Sequence, residues 1–239
     1  MESANRGMEM KASQMAHPAS TTDGGSVAVL ERAPAWHDQA YRAAAGDISK
    51  IRWALGRPNP LLVSWLNAEA PGRIRPGART VVVGCGLGDD VVALIDRGYD
   101  AVGFDVSTTA IEWARRRFPQ HPEAFLTADL LNLPSRMQHR FDLVIESYTL
   151  ESIDPGRREQ AARALAMLAC PRGMVVAVTR ARDEHELLEH VQGPPWPLSP
   201  SELGGLMEAA GMQPTRPLDD FFDEETPPVR RLRGSFVHA

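Results

Sequence analysis

Apolar positions along this chain follow two periods that alternate. Residues 80–83, 101–104, 124–127, 141–145 and 174–179 are short continuous apolar runs, most of them rich in β-branched residues. That is the pattern of strands buried on both faces. Helical spacing separates them. Residues 89–97 form one such segment, stopped by Gly98. Residues 108–118 form another, capped by Ser107, with Ala110, Ile111, Ala114 and Phe118 on one face and Pro119 beyond. Pro155 opens a helix reaching about residue 168. Ser199-Pro-Ser-Glu202 reads as a capping box, followed by Leu203, Leu206, Met207 and Ala210 on the inner face and by Gly211 as the stop.

Two helices precede the first strand, one over 36–45 and one opening at Pro60. Asn59 caps the second, and Leu61, Leu62, Trp65 and Leu66 share a face. Two last strands, 212–218 and 229–237, have no helix between them. They predict an antiparallel hairpin turning around 219–228. The expected fold is therefore α/β, a doubly wound, seven-stranded, mostly parallel sheet closed by a C-terminal antiparallel hairpin. Residues 1–33 lack sustained periodicity and read as a flexible extension, leaving 34–239 as one domain.

Composition narrows the class. Apolar content of 43% and charged content of 24% are those of an ordinary globular enzyme. A net charge of −5 and a pI near 5.8 argue against a protein that tracks nucleic-acid phosphates. Two cysteines, Cys85 and Cys170, make a disulfide framework improbable. With no apolar run of membrane length and no basic-apolar leader, a cytoplasmic protein without a membrane partner is expected. His17, His37, His121, His139, His185, His190 and His238 show no metal-ligand spacing, so no metal is expected.

The chemistry is concentrated in residues 81–90, Val-Val-Val-Gly-Cys-Gly-Leu-Gly-Asp-Asp. A buried strand runs into Gly84, Gly86 and Gly88 and then into a helix, which lets backbone approach a ligand closely. The second strand ends in Asp105, a carboxylate suited to a ribose. In such sheets ligands bind beyond the carboxyl ends of the strands, beside the first. The dinucleotide fingerprint Gly-x-Gly-x-x-Gly would want glycine at 89, where Asp89 stands. An acid there opposes a pyrophosphate at a helix start. Asp89-Asp90 instead suits a phosphate-free, positively charged ligand.

With the glycine loop, Asp105, Asp129 after the third strand and Phe141-Asp-Leu-Val-Ile-Glu146, residues 50 to 237 resemble the class I S-adenosylmethionine-dependent methyltransferases, whose fold is Rossmann-like. Trp53-Ala-Leu-Gly-Arg-Pro-Asn-Pro60 further resembles the Trp-x-x-Gly-x-Pro-x-Pro segment of thiopurine and thiol methyltransferase-like proteins. That group's glycine loop often carries proline where this chain has Val83. The resemblance implies S-adenosylmethionine as cofactor. It places Gly84, Cys85, Gly86 and Gly88 at the methionine portion, Asp105 on the ribose hydroxyls, and Val106, Asp129 and Leu130 at the adenine. Glu146 and Ser147 would border the amino-acid end and the methyl group. Trp53 would lie over the cofactor, where a cation–π contact with the sulfonium is sensible, or is an ordinary core aromatic.

Tyr148, Arg180 and Trp196 are candidates for the acceptor side. Arg180 and Arg182 equally suit a plain surface role, and Gly193-Pro-Pro-Trp-Pro-Leu198 is either a stiff lid or a buried loop anchor. Cys85 reads as a small turn residue rather than a nucleophile, and Arg115-Arg-Arg117 as a solvated helix face. The expected activity is methyl transfer to a small molecule, such as a thiol, with no assigned catalytic residue. Alternatives are a cofactor-binding regulatory module and a nicotinamide-dependent oxidoreductase. An Asn/Asp-Pro-Pro-Tyr/Phe motif of amino-methylating enzymes is missing, since Glu146-Ser-Tyr-Thr149 stands at that place.

Overall fold

A computed structural model describes residues 32–188 and 191–239. Most of the expected N-terminal extension, with His17, and also His190 lie outside the described residues. Helix α1 (Arg32–Ala44) begins just before the expected domain boundary, and α2 spans Pro60–Ala68. The alternating unit then runs β1 (Arg79–Val83), α3 (Asp89–Ile95), β2 (Asp100–Asp105), α4 (Thr108–Arg117), β3 (Phe125–Thr127), β4 (Phe141–Ser147), α5 (Arg158–Leu168) and β5 (Ala169–Arg180). Helix α6 (Pro200–Ala209) leads to β6 (Met212–Pro214), β7 (Asp219–Phe222) and β8 (Arg230–His238).

The sheet has eight strands rather than seven. Its order is β3-β2-β1-β4-β5-β8-β6, with β7 also paired to β8. Strands β1 to β5 are parallel, and β8 runs antiparallel to β5. The closing hairpin differs from expectation in where it turns. Asp219–Phe222, expected as loop, is a strand pairing Asp219 with Arg233 and Phe222 with Arg230, while β6 pairs with the far end of β8. Asp219 lies opposite Arg233 and bonds it, and Asp220 reaches diagonally to bond Arg230. Cross-strand charge pairing makes a strand of a segment whose own sequence looks like a turn.

Strand β5 also begins earlier than expected, with a register shift against β4 between Phe141 and Leu143. Pro155 opens a short 3₁₀ turn before α5 rather than the helix itself. Ser199 caps α6 through the Glu202 amide, as expected. The box is not reciprocal, because the Glu202 carboxylate is taken by Arg158 (2.5 Å) and Arg182 (2.8 Å).

Two cores cover the sheet. One packs Val81, Val83, Val144 and Val175 against α5 and α6; the other packs Val82, Ile145 and Val176 against α2, α3 and α4. Trp65 of α2, fully buried, donates its indole N–H to Ser235 of β8 at 2.9 Å. Strand β1 lies between β2 and β4, whose connections leave in opposite directions, so the carboxyl end of β1 is the switch point of the sheet.

Candidate functional site

The glycine loop occupies that switch point. Gly84 and Gly88 adopt φ of +62° and +89°, and Gly88 is the cap of α3. A Cβ on Gly84 would fall 2.3 Å from Thr149 Oγ1, and one on Gly88 would fall 2.6 Å from the Phe125 ring. Both positions are glycine for conformational and packing reasons together. The Cys85 side chain is buried against Gly103, where a Cβ would come 2.7 Å from its own. Burial pushes its thiol well up, so it stays protonated. Its amide donates to Phe104 O at 3.0 Å. Cys85 is a turn and packing residue, as read from the sequence, and what it offers a ligand is backbone.

Asp105 ends β2 nearly buried. Oδ2 accepts the Gly86 amide at 3.0 Å and Oδ1 the Ser107 amide at 2.8 Å. Burial raises its pKa, and the two amides oppose that rise. Each oxygen keeps a further lone pair, which is what two vicinal hydroxyls require. Val106, beside it, is 37% exposed; Leu130 is buried, and the Asp129 side chain accepts the Leu131 amide at 2.9 Å.

Helix α1 adds a wall that the sequence did not announce. Asp38 accepts from the Ser107 hydroxyl (2.8 Å) and the Thr109 amide (3.1 Å), tying α1 to the start of α4. Tyr41 is buried, and its hydroxyl lies 3.0 Å from where a Cβ on Gly86 would stand. The Trp53 indole N–H donates to that hydroxyl at 2.8 Å, and Trp53 also meets the rings of Trp36 and His37. His37 acts electrostatically on Asp105. The structure therefore groups Trp53 with the glycine loop through Tyr41.

Asp89, the residue used to argue against a dinucleotide, is not a bare charge. Arg117 holds it bidentately at 2.6 and 2.7 Å. Asp89 therefore no longer weighs electrostatically against a dinucleotide, and the reading of residues 115–117 as a solvated face holds for exposed Arg115 and Arg116 but not for Arg117. Arg117 is partly buried, and Arg115 donates to Phe125 O at 2.7 Å. Asp90, next to Asp89, has no ion-pair partner among the described residues. Its Oδ1 accepts the Asn59 amide at 2.7 Å, and burial raises its pKa to about 6.

Beyond β4, Glu146 is fully buried, and Oε1 accepts the amides of Thr149 (2.6 Å) and Leu150 (2.9 Å). Burial pushes it up to about 8. It shapes the turn after β4 rather than facing outward. Ser147 stands one position beyond the Val83–Glu146 pairing, hence level with Gly84. Its hydroxyl is buried and has no partner among the described residues. Tyr148 follows with φ +65°, its ring 4.5 Å from the Arg231 guanidinium.

The remaining candidates divide. Arg180 is half exposed and pairs with Glu151 at 3.6 Å. Arg182 is held by Glu202 and by backbone carbonyls of 183 and 186, a structural role. Trp196 is tied through its backbone. Its amide donates to Glu151 O at 2.6 Å, its carbonyl accepts from buried Arg158, and its ring lies over Gly193. Of its two readings, loop anchor is the one with contacts behind it. Asn59, Asp90, Tyr41, Thr149 and Arg231 were missed as site residues. Asn59 was recognised only as the cap it also is, accepting the Leu61 amide at 2.9 Å.

Comparison with known proteins places this arrangement. Residues 81–173 match a family model described as a methyltransferase domain. A probable thiol methyltransferase 2 from Arabidopsis thaliana is 29% identical over 165 residues, 67% of this chain and 68% of that one. Thiocyanate methyltransferase 1 from Brassica oleracea is 27% identical over the same shares. The fold matches the Burkholderia thailandensis 1,6-didemethyltoxoflavin-N1-methyltransferase, solved with S-adenosylhomocysteine. The TM-score is 0.67 with 16% identity, covering 93% of this chain and 94% of that one. The chain is thus similar to S-adenosylmethionine-dependent methyltransferases and, among its curated relatives, to thiol and thiocyanate methyltransferases.

Proposed function

We propose that the chain transfers a methyl group from S-adenosylmethionine to the sulfur of a small-molecule thiol. The observation that carries cofactor binding is Asp105, a buried carboxylate cross-bonded to Gly86 with a lone pair left on each oxygen. The orphaned Ser147 hydroxyl, level with Gly84, is a second polar group suited to that ligand. The thiol acceptor is supported by the similarity to a probable thiol methyltransferase.

When bound, S-adenosylmethionine supplies a sulfonium methyl that a nucleophile can take directly. The residues of the chain do the rest. Asp105 would hold the ribose, and Val106, Asp129 and Leu130 would line the adenine. Gly84, Cys85, Gly86 and Gly88 would offer backbone to the methionine portion, with Trp53 and Tyr41 covering it. Ser147 would border its amino-acid end, on a turn that Glu146 shapes from behind. Holding two reactants aligned can supply about 7–11 kcal/mol of a barrier, so no protein nucleophile is needed. A thiol with a pKa of about 8.5 is partly ionised near neutrality, so no strong base is needed either.

Incubation with methyl-labelled S-adenosylmethionine and a panel of thiols, phenols and amines tests the reading. Label on the thiols supports it. Label confined to amines or phenols overturns the acceptor, and binding of NADH in place of S-adenosylhomocysteine overturns the cofactor assignment.

A further inference from the structure

Tyr148 is fixed on every side. Its backbone takes φ +65°, a left-handed conformation that a residue with a side chain rarely adopts. Its amide donates to Val178 O at 2.8 Å, and its carbonyl accepts the Ser152 hydroxyl at 2.9 Å. The Arg231 guanidinium lies over the ring. Arg231 is itself almost fully buried and clamped by Asp223 and Glu225, each at 2.7 Å.

A strained residue held this firmly, at the carboxyl end of β4 beside the switch point, is positioned for a task. The phenol has one proton to give. Burial raises the Tyr148 pKa above its ordinary value, so the proton stays on at neutral pH. Arg231 cannot serve as the anion receptor instead, because two carboxylates already hold it.

We propose that the Tyr148 hydroxyl donates a hydrogen bond to the acceptor sulfur and thereby favours its thiolate form, with Arg231 as the residue that positions it. This rests on the thiol acceptor proposed above. Several ionisable groups surround this phenol: Arg231 from β8, Glu225 from the β7–β8 connection, Glu151 after β4, and Asp90 of α3 beyond Asn59. None of them is altered by removing one oxygen.

The test is the pH profile of kcat/KM for an alkyl thiol in the full-length protein and in Tyr148→Phe, which keeps the ring under Arg231. The wild type should show its ascending limb below the free thiol's own pKa. In Tyr148→Phe that limb should move alkaline by about a unit. Activity at pH 7 should then fall roughly tenfold and recover toward wild type near pH 9.5, with S-adenosylhomocysteine affinity within about twofold. A loss that is equal at every pH, or no loss, overturns the role of Tyr148 and leaves the thiol reading intact. A wild type that methylates no thiol, yet binds S-adenosylhomocysteine, overturns the acceptor reading and this inference with it.

Discussion

Asp105 and Glu146 are both buried carboxylates near the ends of the two strands that flank β1, yet their oxygens are used differently. Asp105 divides its two oxygens between two amides and keeps capacity for a ligand. Asp105→Ala should weaken S-adenosylhomocysteine binding by about 2–3 kcal/mol, the worth of hydrogen bonds to a charged group. Calorimetric titration showing unchanged affinity would remove Asp105 from the site. Glu146 spends one oxygen on two amides and leaves the other unpartnered. Its folded pKa of about 8 stands above the ordinary 4.5. A raised carboxyl contributes stability that is complete below the unfolded pKa and is lost as pH climbs toward the folded one. Wild type should therefore lose stability between about pH 5 and 8, by up to about 1.4 kcal/mol per unit. Glu146→Gln should not share that slope, and urea unfolding across this range reads the difference. Asp105 was legible from sequence because its task follows from local order, a carboxylate ending the strand after a glycine loop. Asp89 was misread because its partner, Arg117, lies on another helix, and nothing local says which of three consecutive arginines turns inward.

At the level of elements, strands announced themselves wherever β-branched residues run together. β7 did not, because Asp219 and Asp220 belong in a strand only once β8 brings Arg233 and Arg230 within reach of them. The post-strand turns behave alike. Their sequences are short and polar, and they are fixed by distant groups. Arg158, with no exposed surface, joins four pieces of chain: its own helix α5, Leu150 O after β4, Trp196 O in the loop after β5, and Glu202 of α6. Arg158→Met should cost about 3–5 kcal/mol, since it strands buried partners. A thermal midpoint that does not fall would show that the loops are held otherwise. The docking of α1 against the start of α4 was illegible for the same reason, since Asp38 gains meaning only when Ser107 and Thr109 are brought to it.

For the whole molecule, the doubly wound architecture and the switch-point location followed from the alternation of periods, because burial on two faces dictates them. How the acceptor end closes did not, since Tyr148 and Arg231 meet only when β8 is in place. Ligand binding links site to stability. S-adenosylhomocysteine at a hundred times its dissociation constant should stabilise the folded state by about 2.7 kcal/mol. For a chain of this size that raises the thermal midpoint by roughly 5–10 °C. A shift with NADH and none with S-adenosylhomocysteine would refute the site as described.

Strand β8 gives the fold a timetable. Arg231, which seats Tyr148, comes after every other site residue in the chain. During synthesis the glycine loop, Asp105 and the β4 turn all leave the ribosome before it, and β8 must then slide in beside β5. A nascent polypeptide paused before residue 230 would have the glycine loop and Asp105 in hand, while Tyr148 would still lack the guanidinium that β8 brings over its ring.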